Sequence, residues 1–164
     1  MKFFDHKDIL NLDKIYKINL INSCSGFKSA NLLGSISLDE TPNVAVFSSV
    51  THLGSNPPTL GFILRPTTVP RDTYKNLKEM GYFTVNHIAE EMIADAHHTS
   101  SSYEENISEF DKTNLEAEFI DGLKAPFIKG SPVKLLCKYV NEYSIEENGC
   151  IHIIASVETI YADE

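Results

Sequence analysis

The sequence has few of the features that mark secreted or membrane proteins. Its 164 residues include no tryptophan and only three cysteines, Cys24, Cys137 and Cys150. An odd number of widely spaced cysteines argues against a disulfide framework and predicts a reducing, cytoplasmic location. No apolar run approaches the roughly 20 residues that a membrane span needs, and the segment MKFFDHKDIL lacks a signal-peptide cleavage pattern. We therefore expect no membrane partner.

Basic residues are also scarce. The chain has 14 Lys and Arg against 23 Asp and Glu, which gives a formal net charge of -9. A protein that binds duplex nucleic acid needs a basic face to displace counterions, so this balance argues against a nucleic-acid partner. A small phosphorylated ligand remains possible, because a local pair such as Arg65 and Arg71 can be positive within an acidic protein.

The motifs of several enzyme classes are missing. Neither a Rossmann nor a P-loop glycine pattern occurs, so a phosphate-bearing cofactor would be held in another way. No G-x-S-x-G elbow is present, and nothing fixes a histidine partner for Cys24. His97 and His98 would point about 100° apart on a helix, and no Cys or carboxylate joins them at metal-ligand spacing. We predict no metal site, and the sequence leaves the catalytic side chain unidentified.

The periodicity of the chain predicts a single domain over residues 1–164, which begins with an amphipathic lead-in over residues 1–15. Runs rich in alternating apolar residues predict strands, and Asn148-Gly149 between two such runs predicts a hairpin turn. Residues 16–24 and 30–37 are predicted to pair as another hairpin. The other predicted strands cover residues 44–49, 59–64, 82–88, 115–120, 133–145 and 150–161.

Three short helices are predicted between these strands. One covers residues 73–80, with Asp72 or Thr73 as its N-cap and Gly81 after its end. A second covers residues 89–98, and Ser102 with Glu105 matches the capping box of a third over residues 103–110. About seven or eight strands with three short helices predict a mainly β fold, a closed β-barrel with helices packed at its openings.

The stretch from residue 44 to residue 86 combines side chains that suit a bound phosphate. Arginine side chains, hydroxyls and the N–H groups of a helix N-terminus all bind phosphate. The alternative is that both arginines pair with surface carboxylates and that the threonine only caps its helix. The side chains concerned are Ser48, Ser49, Thr51, Arg65, Arg71 and Thr73.

The order of several motifs resembles the flavin reductase-like family. The chain reads FKSANLLGSIS, then NVAVFSSVTHLGSNPPTLGFILRP, RDTYKNLKEMGYFTVN, HHTSSSYEENISEF and APFIKGSPVKLLCKYVNEY. The resemblance depends on a strand that ends in hydroxyls, the pair Pro57-Pro58, the pattern R-x-T-x-x-N at Arg71, Thr73 and Asn76, and the strand FTVN. It extends from about residue 16 to the C-terminus. It implies the FMN-binding split-barrel fold and a homodimer with FMN at or near the subunit interface.

The resemblance also implies the residues of the cofactor site. The flavin would be contacted, through hydroxyls and main chain, by Ser48, Ser49, Val50 and Thr51, and its phosphate and ribityl side by Arg65, Arg71 and Thr73. The cofactor would be covered, from the partner subunit in one arrangement, by Thr99, Ser100 and Ser101. Beside the ring would lie Lys28, Ala30 and Asn31.

The activity that the resemblance implies is that of a reductase. NADH or NADPH would deliver hydride to flavin N5, and the reduced flavin would pass electrons to an acceptor. Two alternatives stay open: a non-catalytic flavin-binding carrier or sensor, and an enzyme of the wider split-barrel group with a different phosphorylated cofactor. The sequence specifies neither the nicotinamide cofactor nor the electron acceptor. Family members usually continue beyond the last strand, so part of the pocket or of the dimer contact is expected to be absent or differently built.

Overall fold

The computed structural model describes residues 1–101, 103, 107–120, 122–123 and 125–163. These residues form four α-helices and nine β-strands. The helices are α1 (His6–Asn11), α2 (Lys14–Cys24), α3 (Asp72–Met80) and α4 (Ile93–His98), with 3-10 turns at Glu90–Met92 and Glu109–Lys112. The strands are β1 (Asn31–Ile36), β2 (Pro42–Phe47), β3 (Thr51–Ser55), β4 (Pro58–Leu64), β5 (Tyr82–His87), β6 (Ala117–Glu118), β7 (Phe127–Ile128), β8 (Val133–Ile145) and β9 (Cys150–Ala162).

Seven strands form one antiparallel sheet in the order β2-β1-β5-β8-β9-β4-β3, and β6 pairs with β7 in a separate ribbon. β8 and β9 pair along their whole length, from Val133 opposite Ala162 to Ile145 opposite Cys150. Gly149 closes their turn at φ 70°, a conformation that costs glycine no steric penalty. The predicted hairpin and the predicted mainly β architecture with short helices are both confirmed.

The sheet encloses an apolar core of mostly aliphatic side chains around a row of aromatic rings. The rings of Phe47, Phe62 and Phe83 meet edge to face, with centroids 5.1 Å and then 5.6 Å apart. Phe62 and Phe83 are almost completely buried, and burying a side chain of this size stabilises the fold by about 1.5–3 kcal/mol. Leu77 of α3 is buried in the same core, so this helix covers part of the barrel interior.

Two polar contacts between side chains fix α3 against β8. The Tyr74 hydroxyl donates to Glu142 Oε1 at 2.9 Å, and Lys78 Nζ donates to the Tyr139 hydroxyl oxygen at 2.9 Å. Lys78 also lies 3.4 Å from Glu142 Oε1, which joins the four side chains into one network. The position of α3 is therefore set by contacts to a strand that is far away in sequence.

The ends of α3 agree with the prediction at one side only. Gly81 follows the helix in the left-handed conformation, at φ 72°, as predicted. The N-cap residue is Arg71, which makes no side-chain cap, so the predicted N-caps Asp72 and Thr73 are wrong. Both residues lie inside the first turn, where Thr73 is buried on the side that faces the barrel.

The N-terminal segment is helical rather than extended. Residues 16–24 lie in α2, so the predicted strand and its hairpin with residues 30–37 are wrong. Asp13 Oδ1 accepts hydrogen bonds from the N–H groups of Ile15 at 2.9 Å and Tyr16 at 3.3 Å. Such a cap satisfies helix-start N–H groups and favours a helix where the strand alternation is short. β1 pairs with β2 and β5 instead.

Three further segments depart from the prediction or lie beyond it. β3 is not among the predicted strands; it pairs with β4 across a turn whose Asn56-Pro57 peptide is cis, and Gly54 interrupts its register. The predicted strand over residues 115–120 is reduced to β6. The capping pair Ser102 and Glu105 lies outside the described residues. None of the helices in the described ranges is long and apolar enough to cross a membrane.

Candidate functional site

Two of the predicted segments meet where β2 ends. Asn31 at the start of β1 pairs with Phe47 at the end of β2. The Ser29 hydroxyl donates to the Val50 carbonyl oxygen at 3.4 Å, and Asn31 Nδ2 donates to Ser29 Oγ at 3.2 Å. The structure therefore brings Ser29 and Asn31 beside the segment that follows β2.

Residues 48–51, here called the hydroxyl run, are linked to β4 by the Ser49 side chain. Its Oγ accepts from the Ile63 N–H at 3.0 Å and donates to the Ile63 carbonyl oxygen at 3.2 Å. Both bonding directions of the hydroxyl are used within the protein, so Ser49 contributes main-chain groups rather than its hydroxyl to a ligand. The same contact brings Arg65, two residues after Ile63, to this part of the barrel.

The main chain of the run is free to donate. The N–H groups of Ser48, Ser49 and Val50 make no hydrogen bond within the part of the chain that the structure describes. The side chains of Ser48 and Thr51 are exposed and add two hydroxyls. Successive unpaired N–H groups bind anionic or carbonyl oxygens, so this run suits the polar edge of a cofactor.

Thr99 lies against β2 of its own chain. Its hydroxyl donates to the Ala96 carbonyl oxygen at 2.8 Å and accepts from the Val46 N–H at 3.0 Å. Thr99 is buried, and its hydroxyl fixes the end of α4 near the hydroxyl run. Ser100 donates to the His97 carbonyl oxygen at 2.7 Å, while Ser101 is exposed. The second hydroxyl cluster is therefore held close to the first.

The cations of the predicted site differ in how they are used. Arg65 is exposed and makes no side-chain hydrogen bond or ion pair within the described ranges, so its guanidinium can bind an anion. Lys28 is also exposed, but its Nζ donates to the Asn22 carbonyl oxygen at 3.0 Å. Ala30 is exposed beside Asn31, and a methyl side chain there leaves room for a planar ligand.

Arg71 and Thr73 occupy a different position, at the start of α3. Arg71 Nε is buried without a hydrogen-bond partner among the described residues, and Thr73 is buried. The first half of α3 lies near the start of β2, because Asn76 Nδ2 donates to Ser35 Oγ at 3.1 Å and Ser35 pairs with Asn43. The Glu109 carboxylate accepts from Asn43 Nδ2 at 3.0 Å and from the Val44 N–H at 3.3 Å.

The predicted site residues fall into two groups that lie near opposite ends of β2. The carboxylate contacts are at Asn43 and Val44, whereas Ser48 follows the other end of the strand. Five strand residues span about 16 Å. Arg65 and the hydroxyl run thus form one group, and Arg71 with Thr73 forms another. Burial, followed by the Asp72 charge, raises the pKa of Glu109 above its ordinary value.

Sequence reasoning missed residues whose role depends on strand neighbours. Ile63 reads as an ordinary apolar strand residue, yet its main chain anchors Ser49. His152 reads as an isolated histidine, but Gly61 allows its ring to approach β4: a Cβ at Gly61 would lie 2.5 Å from His152 Nε2. No local sequence signal distinguishes either residue, because the contacts join segments that are far apart in sequence.

The geometry of the described side chains favours binding of a ligand, and the buried Cys137 is not suited to nucleophilic attack. Burial raises the pKa of Cys137 to about 12, so this thiol stays protonated at neutral pH. Among the described residues, no group of three or more His, Cys, Asp or Glu side chains is arranged to hold a metal ion. The unpaired N–H groups and Arg65 suit an anionic cofactor that carries its own reactivity.

Comparison with known proteins identifies the family. Residues 27–164 match the family model described as the flavin reductase like domain. A solved structure from Shewanella frigidimarina NCIMB 400, provisionally assigned as a flavin reductase with a split barrel domain, is 37% identical with a TM-score of 0.95. The match covers 100% of this chain and 81% of that chain.

Two further matches are more distant. A protein of Aquifex aeolicus (strain VF5) is 30% identical over 137 residues, which are 80% of this chain and 70% of that protein. The NADH:FAD oxidoreductase of Streptomyces globisporus C-1027 has a similar fold, with a TM-score of 0.75 at 16% identity, covering 99% of this chain and 87% of that chain. With the family match over residues 27–164, the chain belongs to the flavin reductase-like family and has its split-barrel fold.

Proposed function

We propose that this protein binds FMN and acts as an NAD(P)H-dependent flavin reductase. The observation that carries the proposal is a row of N–H groups at Ser48, Ser49 and Val50 near Arg65, none of which has a hydrogen-bond partner in the part of the chain that the structure describes. When bound, FMN supplies the redox chemistry by accepting hydride from NADH or NADPH at N5. Family membership and the relatedness in fold to an NADH:FAD oxidoreductase support an oxidoreductase that works with flavin.

The proposed roles of the residues follow from the groups that they leave free. The N–H groups of residues 48–50 donate to the polar edge of the flavin, where negative charge develops on reduction. The hydroxyls of Ser48 and Thr51 add hydrogen bonds, and Arg65 binds the phosphate through charge-assisted bonds. Ser49 holds the run in place through Ile63, so it is a positioning residue.

The second group is proposed to contribute a cation to the same ligand class. The start of α3 has no side-chain cap, and the Nε of Arg71 has no partner in the described part of the chain. A helix N-terminus with an adjacent guanidinium favours phosphate. About 16 Å of β2 separates this group from the hydroxyl run. FMN has one phosphate, and arginine side chains are long, so we place that phosphate between the two groups, where both Arg65 and Arg71 reach it.

Two copies of the chain are proposed to form the working unit, with FMN near their interface. Ser48 and Thr51 of the hydroxyl run are exposed in the single chain, as are Ala30 and Ser101. A flavin ring bound there would be open to water on one face. A partner subunit would cover that face and exclude water from the reduced cofactor. The electron acceptor is a small molecule or a protein. The three described cysteines are unpaired, which fits the predicted reducing cytoplasm.

The deciding experiment is a pair of anaerobic titrations on the full chain. Purified protein is first titrated with FMN and, separately, with FAD, followed by visible absorbance and flavin fluorescence. The loaded protein then receives NADH or NADPH, and bleaching near the flavin absorption maximum is recorded. We expect tighter binding of FMN than FAD and full bleaching by one nicotinamide cofactor.

The alternatives give different results in the same titrations. A non-catalytic carrier or sensor would bind FMN without accelerated bleaching by either nicotinamide. An enzyme with another phosphorylated cofactor would bind neither flavin, and that result would overturn the proposal. Preferred binding of FAD would retain the reductase and correct the cofactor.

A further inference from the structure

The first 28 residues, here called the N-terminal arm, are helical but do not pack into the barrel. None of the residues of α1 or α2 is buried. No residue before Leu32 belongs to any of the three described hydrophobic clusters. Large apolar side chains remain exposed along the arm, including Phe3, Leu10, Ile15, Ile18, Ile21 and Phe27.

The polar contacts of the arm are also made within it. Asp5 caps α1 and Asp13 caps α2, while Lys17 Nζ donates to the Leu10 carbonyl oxygen at 2.6 Å. Ser25 and Lys28 both donate to the Asn22 carbonyl oxygen. Among the described residues, no side-chain hydrogen bond or ion pair joins the arm to the barrel. The arm is therefore folded locally and unattached to its own domain.

Such an arm needs another surface to stay helical. An isolated helix shorter than about 12–15 residues is marginal in water, and α2 has 11 residues. Ile15, Ile18 and Ile21 recur every three residues and form a stripe along one side of α2, with 63%, 46% and 50% of their surfaces exposed. An exposed apolar stripe of this kind marks an interaction surface.

Charge indicates what the arm contacts. The arm has five lysines and three aspartates, a net charge of +2, whereas residues 29–164 have nine basic and twenty acidic residues, a net charge of -11. Opposite net charges steer association and suppress wrong pairings. The arm does not pack on its own barrel. The acidic surface that complements its positive charge is therefore the barrel of a second copy of the chain.

A sheet face on that barrel is open to receive the arm. Gly61 of β4 lies opposite Ile154 of β9, and their side-chain positions point away from the core. Leu53 Cδ1 would lie 2.9 Å from a Cβ at Gly61, so Leu53 is on the same face. Tyr143 pairs with His152 on this face, and Leu53 and Tyr143 are 42% and 58% exposed. We call these residues the outer sheet face.

The outer sheet face and the end of the arm both lie next to the candidate site. The arm continues directly into Ser29, which bonds Val50, and Thr51 of the hydroxyl run begins β3 on the outer sheet face. The tip of the β8–β9 hairpin adds Glu146 and Glu147, which are exposed carboxylates for the lysines of the arm. An arm that packs on the outer sheet face of a second copy would therefore lie beside the hydroxyl run of that copy.

We propose that the N-terminal arm of one copy packs its isoleucine stripe on the outer sheet face of a second copy. The proposal rests on the homodimer of the proposed function and specifies how its two copies hold each other. It assigns the exposed apolar residues of the arm and of the sheet to one interface. It also explains how a helix of 11 residues is maintained without packing on its own barrel.

Sedimentation equilibrium tests this interface with matched variants. Ile15→Glu places a charge in the stripe, and Tyr143→Glu places one on the outer sheet face. The control is Ile93→Glu, because Ile93 is also a helical isoleucine, with 60% of its surface exposed against 63% for Ile15. Each of the first two should raise the dimer dissociation constant at least about tenfold, since an unpaired carboxylate is costly in an apolar contact, and the control should leave it unchanged.

Hydrogen exchange then identifies the arm itself. The amides of α2 should exchange slowly in the wild-type dimer and rapidly in Tyr143→Glu, although the substitution is on a different element. If Tyr143→Glu weakens association while Ile15→Glu does not, the two sheet faces pack on each other and the arm proposal is overturned. A wild-type protein that stays monomeric at high concentration overturns it as well.

Flavin titration of the same samples separates this proposal from the proposed function. A protein that dimerises through the arm but binds no flavin retains the interface and loses the reductase. A protein that binds FMN as a monomer retains the flavin site and loses the interface. Circular dichroism should show the native β-sheet signal in all three variants, because each substituted side chain is exposed in the single chain. The helical signal should fall in Ile15→Glu and Tyr143→Glu but not in Ile93→Glu, because only the first two release α2 from the second copy.

Discussion

The hydroxyl of Ser49 bonds both main-chain polar groups of Ile63, accepting from its N–H at 3.0 Å and donating to its carbonyl oxygen at 3.2 Å. This contact joins the segment after β2 to β4, two strands that are not neighbours in the sheet order. It holds the hydroxyl run in an irregular conformation in which the N–H groups of residues 48–50 stay unpaired. The availability of those groups for a cofactor therefore depends on one side chain.

Ser49→Ala should destabilise the protein and weaken FMN binding together. It leaves the Ile63 N–H and carbonyl oxygen without their partner, and an unsatisfied buried polar group costs about 1–3 kcal/mol. The measurement is urea unfolding, with FMN titration in the absence of urea. Ser48→Ala is the matched control for the unfolding measurement, because the exposed Ser48 side chain makes no hydrogen bond within the described residues. Equal unfolding free energies for the two variants would contradict the role of Ser49.

Arg65→Ala should raise the dissociation constant for FMN about tenfold or more, because a hydrogen bond to a charged group contributes about 1.5–3 kcal/mol. Stability should not change, since Arg65 has no ion pair within the described residues to lose. Fluorescence titration measures the affinity. Arg65→Lys should recover part of it, and Lys112→Ala, which removes another exposed cation, should have no effect. Removing the phosphate from the ligand, with riboflavin, should abolish the difference.

Arg71→Ala should weaken FMN binding without lowering the free energy of unfolding. The buried Nε of Arg71 has no hydrogen-bond partner among the described residues, so its removal takes away a desolvated donor rather than a stabilising contact. Lys75→Ala on the exposed side of α3 is the control. FMN affinity and thermal unfolding are measured on both variants. Unchanged affinity in Arg71→Ala would remove the start of α3 from the cofactor site.

Glu109→Gln should change how stability depends on pH. Burial raises the pKa of Glu109 in the folded protein above its value of 4.5 in the unfolded chain. Between the two values the folded state binds more protons, so the stabilisation is present below the unfolded pKa and is lost as pH rises through the folded pKa. Glu109→Gln cannot ionise, and its stability relative to wild type should therefore increase as pH rises from 4 to 7. Urea unfolding across that range checks the slope, and Glu90→Gln, an exposed control, should follow wild type.

Elements that are determined by residues close in sequence were predicted well. The β8–β9 hairpin turns at Asn148-Gly149 and α3 ends at Gly81, and in both places a glycine indicates the left-handed backbone conformation. The segment 16–24 was predicted as a strand from a few alternating residues, but the Asp13 cap decides for a helix. β3 was not predicted because it has only five residues and Gly54 interrupts its pattern, while its pairing with β4 supplies the stabilisation.

The sequence by itself determined the mainly β class, most strands, the helices α3 and α4, and the kinds of side chain available for a phosphate-bearing ligand, because periodicity, caps and turns act over a few residues. Only the tertiary structure decided which of those side chains meet. Ser49 and Ile63 are 14 residues apart, and Val46 and Thr99 are 53 apart. The barrel brings the hydroxyl run, Arg65 and Thr99 together and leaves Arg71 and Thr73 at the other end of β2. Such pairings follow from strand order and register, which no local pattern encodes.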